Sequence, residues 1–337
     1  MPVKNRRWVL ASRPDGKPVK ENFRLEEEEL RDPGEHEVLV RARYFSVDPG
    51  MRSRLSGDSY AQALGIGETI EGAMIGTIKA SNNERFKEGD LVTAGFGWQE
   101  YALSNGRGIT KLDASIFQPP LTVTAAIGVL GIPGLTAYFG LLDMGKPKEG
   151  ETVLISSAAG PVGATAGQIA KMKGCRVVGI AGSKDKCEYV TRELGFDACF
   201  NYKEEKDLVA AIKKHCPDGV DIYVDNVGGE MLDAAIANAN ERARLIISGQ
   251  VAEYNRPEPR GIRNTTRFIT HRLRMEGLVV FDYFKQFPQA QAEMAGWIKS
   301  GKLKYTEDIS EGIETAPEAF IGLFEGENHG RRLIKVG

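Results

Sequence analysis

The feature that most limits how this chain can fold is a small-residue turn between a strand pattern and a helix pattern. The turn reads Ala158-Ala159-Gly160-Pro161-Val162-Gly163, after the apolar run Thr152–Ser156 and before the helical pattern Ala164–Lys173. It is a G-x-G-x-x-G pattern with Ala in the first position. Small residues here let a pyrophosphate approach the N–H groups of a helix N-terminus, and Gly163 lets the helix pack closely on the sheet. The context predicts a dinucleotide-binding βαβ unit; a Gly-rich turn without a ligand is the alternative.

Strand and helix patterns alternate after about residue 125, around and beyond this turn. The later strands are predicted at Arg176–Ile180, Ala198–Asn201, Val220–Asp225 and Arg244–Ser248, with helices at Lys184–Leu194, Asp207–His215, Glu230–Ala239 and Gln289–Lys299. Such alternation is typical of helices that cover both faces of a parallel sheet. The second half therefore predicts an α/β fold with a doubly wound parallel Rossmann sheet.

Residues 1–125 have another pattern, in which short apolar runs such as Met74–Ile78 are separated by turn signals such as Asp48-Pro49-Gly50. This favours a β-rich, barrel-like domain. A chain of 337 residues is also longer than one core usually serves. Because short strands are expected again near the end, we predict a first domain of residues 1–128 and 302–337. Residues 129–301 would form the inserted nucleotide-binding domain.

The end of the second strand indicates which cofactor binds. An NAD-preferring domain has Asp or Glu there, to hold the ribose hydroxyls. Here Ala181 or Gly182 occupies that position, followed by Ser183, Lys184 and Lys186. Small neutral residues leave room for a 2′-phosphate, and either lysine can supply its counter-charge. The sequence thus favours NADPH, although Asp185 argues against it and the lysines could be merely exposed.

The metal-ligating residue types are missing where a catalytic zinc would need them. Such a site takes three protein ligands, commonly Cys and His. All four cysteines follow residue 174, and residues 1–150 hold one histidine, His36. The four histidines form no H-x-x-H or H-E-x-x-H pattern. We therefore expect no metal, and reduced, mostly buried thiols.

Charge and hydropathy narrow the class of protein further. The formal net charge of −2 gives no general attraction to nucleic acid or anionic membrane. The most apolar stretch, about residues 121–142, is interrupted by glycines and a proline, and the N-terminus lacks an apolar run of signal-peptide length. We expect a cytoplasmic protein with neither a nucleic-acid nor a membrane partner.

Several motifs together resemble one known family, and the resemblance covers essentially the whole chain. The family is the medium-chain dehydrogenase/reductases of the leukotriene B4 12-hydroxydehydrogenase/prostaglandin reductase type, and the similarity is greatest to its bacterial curcumin reductase-like branch. The motifs that carry the resemblance occur in the same order: Arg6–Pro14, Asp48–Arg52, Gly131–Tyr138, Ala158–Gly163, Asp225–Gly229 and Gly326–Gly330.

The resemblance implies a GroES-like first domain, NADPH as the hydride donor and zinc-independent reduction of the C=C bond of α,β-unsaturated ketones or aldehydes. By matching position, Lys186 and Tyr202 would contact the 2′-phosphate side of the cofactor. Asn328 would lie near the nicotinamide. The positions that would line the remainder of the cofactor are Asn226, the Ser248–Tyr254 loop with Ser248, Gly249 and Tyr254, and the backbone of Leu278, Val279 and Val280.

The candidate catalytic groups follow from the charge that develops during the reaction. Conjugate reduction builds negative charge on the carbonyl oxygen, so a hydrogen-bond donor is needed there. Tyr254 is the first candidate and Tyr60 the second, because a phenol donates without being ionised near neutral pH. Either tyrosine could only pack or contact ribose. Some relatives have a Tyr where this chain has Thr270, which leaves the proton donor open.

Two other functions remain compatible with these patterns. One is an NADPH:quinone oxidoreductase on the same fold. The other is a non-catalytic NADPH-binding sensor or nucleic-acid-binding protein that uses the arginine-rich segment Arg256–Arg274. The expected small-molecule partner is an enone or enal, and the expected assembly is a homodimer. The loop near Ser56–Gly67 and the segment Tyr254–Arg267 are expected to shape the pocket.

Overall fold

The computed structural model describes residues 2–57, 62–258 and 260–337. Contacts between Cα atoms divide the chain into two units. The first comprises Met1–Ile127, Glu307–Asn328 and Arg332–Gly337, and the second comprises Gly128–Thr306 and His329–Arg331. The chain thus leaves the first unit, builds the second and returns.

The first unit is rich in antiparallel strands. Its strands are β1 (Val3–Leu10), β2 (Phe23–Leu30), β3 (Val38–Ser46), β4 (Met74–Ser81), β5 (Leu91–Ala94), β6 (Tyr101–Ser104), β7 (Thr110–Lys111), β14 (Glu307–Glu311) and β15 (Arg331–Lys335). Strands β1 and β2 form a two-stranded sheet. The others follow the order β14-β15-β3-β4-β5-β7, with β6 also on β3. Helices α1 (Met51–Ser56) and α9 (Ala316–Leu323) complete the unit.

Aromatic side chains form the centre of the first unit's core. Trp98 is fully buried, stacks on Phe45 at 6.2 Å between ring centroids and meets Phe320 edge to face at 5.7 Å. Its indole N–H donates to the Ser46 carbonyl at 3.1 Å, as a buried indole requires.

The second unit is built on a six-stranded parallel sheet. Its strands are β8 (Thr152–Ser156), β9 (Arg176–Ala181), β10 (Ala198–Asn201), β11 (Val220–Asp225), β12 (Ala239–Ile247) and β13 (Arg274–Gly277), in the order β10-β9-β8-β11-β12-β13. Its helices are α2 (Ile132–Phe139), α3 (Pro161–Met172), α4 (Lys184–Arg192), α5 (Leu208–His215), α6 (Gly229–Asn238), α7 (Thr266–Thr270) and α8 (Phe287–Lys299).

Alternation along β8 explains why helices cover both faces of this sheet. Val153 and Ile155 belong to one buried cluster, together with Ile169 of α3. Leu154 points the other way and belongs to a second cluster, together with Ile236 of α6. Successive strand residues face opposite sides, so a strand that is apolar throughout needs cover on both. The predicted fold class, a doubly wound parallel sheet plus a β-rich domain, is confirmed.

Three differences from the sequence expectations have local causes. Helix α3 begins at Pro161 rather than Ala164, since proline fits the first helical position. Strand β12 begins at Ala239 rather than Arg244. Its pairing with β11 starts at Val220–Ala239 and continues at Ile222–Arg244, so the residues between Ala239 and Arg244 form a bulge. Helices α1, α2 and α9 were not expected. Within the described ranges, no helix has the length and apolarity needed to cross a membrane.

Candidate functional site

The turn between β8 and α3 has the shape of an anion cradle. Ser157 leaves β8 in the left-handed region, at φ 52°, and its carbonyl accepts from the N–H of Gly160 at 2.9 Å. The Ala158 N–H donates to the Ile180 carbonyl at 3.0 Å, which ties the turn to β9. Pro161 is the first residue of α3, so the turn ends directly at a helix N-terminus.

Gly163 is required by a close approach of backbone to backbone. A Cβ at this position would lie 2.4 Å from the Ser157 carbonyl oxygen, closer than a carbon atom can come. Ala158 and Ala159 are buried, and Val162 is half-buried. The first N–H groups of an α-helix lack intrahelical acceptors, so the start of α3 offers donors and a positive dipole end to an anion. These residues therefore fit a dinucleotide pyrophosphate.

The end of β9 carries no acidic side chain. Ala181 is buried, and Gly182 leads to Ser183, whose hydroxyl accepts from the Lys186 N–H at 3.3 Å and caps α4. A Cβ on Gly182 would lie 3.3 Å from Cε1 of Tyr202. Tyr202 follows β10 and its N–H donates to the Ala181 carbonyl at 3.1 Å. The structure thus brings Gly182, Ser183, Lys186 and Tyr202 together.

Lys203 is a cation at this place that the sequence analysis missed. Its Cε lies 3.5 Å from where a Cβ on Gly182 would be, and the residue is exposed. Lys184 is directed elsewhere, 3.8 Å from Glu188 one turn along α4. The signal in the sequence was only that Lys203 adjoins Tyr202. The end of β9 therefore has room for a 2′-phosphate, and Lys203 is a cation beside that space.

A polar network joins the carboxyl ends of three neighbouring strands. Ser156 of β8 donates its hydroxyl to Asp225 Oδ1 of β11 at 3.1 Å, and accepts from the Asn226 N–H at 2.8 Å. The Asn226 amide donates to the Ser156 carbonyl at 2.8 Å. Ser248, after β12, has its Oγ 2.8 Å from Asn226 Oδ1. The predicted residues Asn226 and Ser248 are thus fixed side by side.

Asp225 is the residue that organises this network, a role that its sequence pattern did not indicate. Besides Ser156, its Oδ1 accepts from the N–H groups of Val227 at 3.0 Å and Gly228 at 2.9 Å, and from the Tyr223 hydroxyl at 2.9 Å. Its Oδ2 is buried and has no hydrogen-bond partner among the residues that the structure describes. Burial raises the pKa of Asp225, although the N–H donors act in the opposite direction.

The loop that bears Tyr254 is held against the turn after β11. Gly249 N–H donates to the Asp225 carbonyl at 3.1 Å, and Ala252 N–H donates to the Val227 carbonyl at 3.0 Å. The Gln250 N–H donates to the Tyr254 hydroxyl at 3.2 Å. The predicted residues Ser248, Gly249, Asn226 and Tyr254 therefore share the carboxyl edge of the sheet.

Other predicted positions fall in different places. Leu278 lies beside the end of β12, because its N–H donates to the Ile247 carbonyl at 2.9 Å; Val279 is exposed and Val280 buried. Asn328 belongs to the first unit. Two residues later, Gly330 donates to the Ala159 carbonyl of the turn at 3.1 Å. Tyr60 lies outside the described residues.

Within this chain, Thr270 lies near the amino ends of the strands, opposite the carboxyl ends that carry predicted residues such as Asn226. It ends α7, which precedes the amino end of β13, whereas the turn and Asn226 lie at the carboxyl ends of the strands. Its hydroxyl is 2.9 Å from His271 Nδ1.

The arginine-rich segment Arg256–Arg274 has its charge compensated by neighbouring carboxylates. Arg260 lies 3.0 Å from a Glu230 oxygen and 3.5 Å from an Asp233 oxygen. Arg272 pairs with Glu241. Further partners are Glu253 for Arg256, Asp233 for Arg263 and Glu276 for Arg274, while Arg267 donates to the Ala239 carbonyl. Most of these arginines are therefore engaged within the second unit. Across the described residues, no three His, Cys, Asp or Glu side chains gather as a metal site.

Comparisons with protein families match both parts of the chain. A family model described as "N-terminal domain of oxidoreductase" matches residues 6–112, and one described as "Zinc-binding dehydrogenase" matches residues 161–296. The second description names a metal, but the matched range is the nucleotide-binding part, and the region before residue 150 has no cysteine.

Comparisons with individual proteins cover nearly the whole chain. NADPH-dependent curcumin reductase of Escherichia coli (strain K12) is 45% identical, over 99% of this chain and 97% of that protein. The 2-alkenal reductase (NADP(+)-dependent) of Nicotiana tabacum is 40% identical, over 99% and 98%. The crystal structure of CurA in complex with NADPH from Vibrio vulnificus matches with a TM-score of 0.92 and 40% identity, over 98% of this chain and 99% of that one.

The network at Asp225 gives a prediction for stability. We expect Asp225→Ala to lower the free energy of unfolding by at least about 3 kcal/mol, because several buried donors lose their acceptor at once. Asp225→Asn keeps an acceptor oxygen and carries no charge, so its cost should be clearly smaller. Urea denaturation followed by tryptophan fluorescence measures both; equal costs would show that the hydrogen bonds of Oδ1 do not matter.

Comparison of the parent chain with Asp225→Asn also predicts how stability changes with pH. Because the pKa of Asp225 is raised in the folded state, its stabilising contribution is complete below the unfolded pKa, about 3.9. That contribution is lost as the pH rises through the folded pKa. The stability of the parent chain relative to Asp225→Asn should therefore fall as the pH rises from about 4. A difference that stays constant with pH would contradict the raised pKa.

Proposed function

Because the chain belongs to the zinc-independent medium-chain dehydrogenase/reductases of the leukotriene B4 12-hydroxydehydrogenase/prostaglandin reductase type, we propose that it is an NADPH-dependent reductase of C=C bonds conjugated to a ketone or aldehyde. The observation that carries the proposal is the end of β9, where Gly182 replaces an acidic residue and Lys186 and Lys203 supply positive charge. The substrate class is supported by relatives named for curcumin and 2-alkenal reduction.

We assign residues 129–301 to NADPH binding, and residues 1–128 and 302–337 to the substrate and catalytic domain. Within the first range, the turn Ala158–Gly163 would hold the pyrophosphate, and Lys186, Tyr202 and Lys203 the 2′-phosphate. Asn226, the Ser248–Tyr254 loop and the backbone of Leu278–Val280 would line the remainder of the cofactor. Asn328 would lie near the nicotinamide.

Bound NADPH supplies the hydride that reaches the β-carbon of the substrate. The chain's own task is then to stabilise the enolate oxygen with hydrogen-bond donors and to let a proton reach the α-carbon. The sequence provides no zinc ligand set, so we propose that a phenol supplies the donor. Tyr254 is the first candidate, since its loop is fixed to the same edge of the sheet as Asn226. Tyr60 is the second.

The reaction class can be tested with purified protein and a panel of acceptors. We expect enals and enones to be reduced with oxidation of NADPH, and oxidation of NADH to be much slower. The product should have a reduced C=C bond and an intact carbonyl. Turnover of quinones but of no enone would replace the proposal with quinone reduction. NADPH binding without turnover of any acceptor would make the chain a non-catalytic binder.

The two lysines give a prediction for cofactor selectivity. We expect Lys186→Gln and Lys203→Gln each to raise the KM for NADPH about tenfold, since a charge-assisted hydrogen bond contributes about 1.5–3 kcal/mol and partial exposure reduces that value. The KM for NADH, which lacks the 2′-phosphate, should not change. Lys299→Gln, in the last turn of α8, is the matched control. Equal losses with both cofactors would remove these lysines from 2′-phosphate recognition.

Tyr254→Phe tests the proposed donor. Loss of one oxyanion donor typically costs about 10²–10³ in rate, so we expect kcat with an enone to fall by about that factor. If the hydroxyl only anchors its loop through Gln250, the KM for NADPH should rise while kcat is kept. An unchanged kcat would remove Tyr254 from the mechanism and direct attention to Tyr60→Phe.

We further propose that the protein is a homodimer joined along β13. Among the described strands, β13 pairs only with β12. Apolar side chains before and after it are exposed, including Ile269 at 80% and Phe284 at 69%. An open strand edge flanked by apolar surface is a usual site of association. Light scattering should give twice the chain mass, and Phe284→Asp should shift the protein toward monomer; a monomeric parent chain would exclude the dimer.

A further inference from the structure

Two free cysteines of the second unit are in direct contact. Cys187 lies in the first turns of α4 and Cys199 lies in β10. The Cys199 thiol donates to Cys187 Sγ across 2.8 Å. A disulfide needs a separation of about 2.05 Å, so the two sulfur atoms have to approach by less than about 1 Å. The pair is therefore close enough to be oxidised with little movement of the backbone.

Strand β9 and the start of α4 hold the two cysteines in place. Cys199 is paired in register with Gly179, and a Cβ there would lie 3.3 Å from Cys199 Sγ and 2.8 Å from Cβ of Ala158. Only glycine at this position lets the thiol sit against β9, behind the phosphate turn. The Cys187 N–H donates to the Ser183 carbonyl at 3.1 Å, which fixes it to the start of α4. The contact between the two thiols is thus built into the sheet and helix.

The four cysteines differ in reactivity. The hydrogen bond from Cys199 lowers the pKa of Cys187, and together with burial it raises the pKa of Cys199. Burial raises the pKa of Cys175 to about 11 and that of Cys216 to about 12. Because the thiolate is the nucleophile, Cys187 is the one thiol of the four that its surroundings activate. Cys187 is also only half-buried, so a small oxidant can approach it.

We propose that Cys187 and Cys199 are a peroxide-oxidisable dithiol. The sulfur of Cys187 attacks one oxygen of a hydroperoxide, breaks the O–O bond and becomes a sulfenic acid, and the other oxygen leaves as water or an alcohol. Cys199 then attacks the sulfenic sulfur, loses its proton, and the S–O bond breaks to release water. Two thiols are oxidised, one peroxide is reduced, and one disulfide joins α4 to β10.

The cross-link would act on cofactor binding, and this half of the inference rests on the proposed NADPH site. Cys187 directly follows Lys186, and Cys199 precedes Tyr202 by three residues. Drawing the sulfur atoms together shifts the first turn of α4, where Ser183 caps the helix and Lys186 is placed for the 2′-phosphate. We expect weaker NADPH binding in the oxidised protein. By thermodynamic reciprocity, bound NADPH must then oppose the cross-link to the same extent.

The first test is chemical and does not depend on the cofactor. Reduced full-length protein is treated with hydrogen peroxide, and thiols are counted and peptides mapped without reduction. We expect loss of two thiols within one chain and a peptide pair linked through Cys187 and Cys199, with Cys175 and Cys216 unmodified as internal controls. In Cys199→Ser, dimedone should trap Cys187 as a sulfenic acid; in Cys187→Ser, Cys199 should stay reduced.

Other results of this test overturn the proposal. If Cys175 or Cys216 reacts while Cys187 and Cys199 stay reduced, the contact does not activate Cys187. Accumulation of over-oxidised Cys187 without a cross-link, or a link between two chains, would show that Cys199 does not resolve it.

The second test measures cofactor affinity. Reduced and oxidised proteins are titrated with NADPH and with NADH, and we expect the Kd for NADPH to rise several-fold on oxidation while the Kd for NADH changes little. Saturating NADPH should slow cross-linking by a similar factor. An unchanged NADPH affinity in fully cross-linked protein would overturn the coupling. If the reduced protein binds no NADPH, the proposed function fails, and the first test still decides the dithiol.

Discussion

The carboxylate of Asp225 accepts four hydrogen bonds where β8 and β11 lie side by side, and the carboxyl edge of the second unit's sheet is arranged around it. At this point the strand order of a doubly wound sheet reverses, so the connections after β8 and β11 leave on opposite faces of the sheet. The buried Asp225 side chain is the acceptor for the N–H groups of the turn at Val227 and Gly228. Because the same oxygen also holds Ser156, the position of Asn226 relative to β8 is fixed as well.

The end of β9 carries the groups proposed for cofactor recognition and those proposed for thiol oxidation. Gly179 lies in β9 and Gly182 directly follows it, and each leaves room for different neighbours. A side chain on Gly182 would meet Tyr202 and Lys203, and one on Gly179 would meet Cys199 and Ala158. Lys186, proposed to bind the 2′-phosphate, and Cys187, whose sulfur contacts Cys199, are therefore neighbours in the first turn of α4. Because closely packed elements transmit strain, a movement of Cys187 on oxidation would reach Lys186, the residue before it in α4.

The sequence predicted the parts of this architecture that depend on local pattern. Strands β8, β10 and β11 have the expected bounds. β8 is a fully buried apolar run, and β11 is buried at all but one position. What it did not predict depends on residues distant in sequence. The role of Asp225 requires that β8 be its neighbour, and the contact of Cys187 with Cys199 requires β9 and β10 to pair; twelve residues apart, these cysteines formed no recognisable motif. Lys203 was missed for the same reason.

The hydrogen bonds around Asp225 fix the position of the loop that carries Tyr254. Its backbone is hydrogen-bonded to the carbonyls of Asp225 and Val227, and Cβ of Gln250 lies 3.3 Å from where a Cβ on Gly228 would be. The Gln250 N–H donates to the Tyr254 hydroxyl, so the phenol oxygen is fixed within its own loop. A donor fixed in this way does not have to reorient as charge develops on a substrate oxygen, which is the condition under which such a hydrogen bond accelerates a reaction. The proposed cofactor contact at Asn226 and the proposed catalytic donor thus depend on the same buried carboxylate.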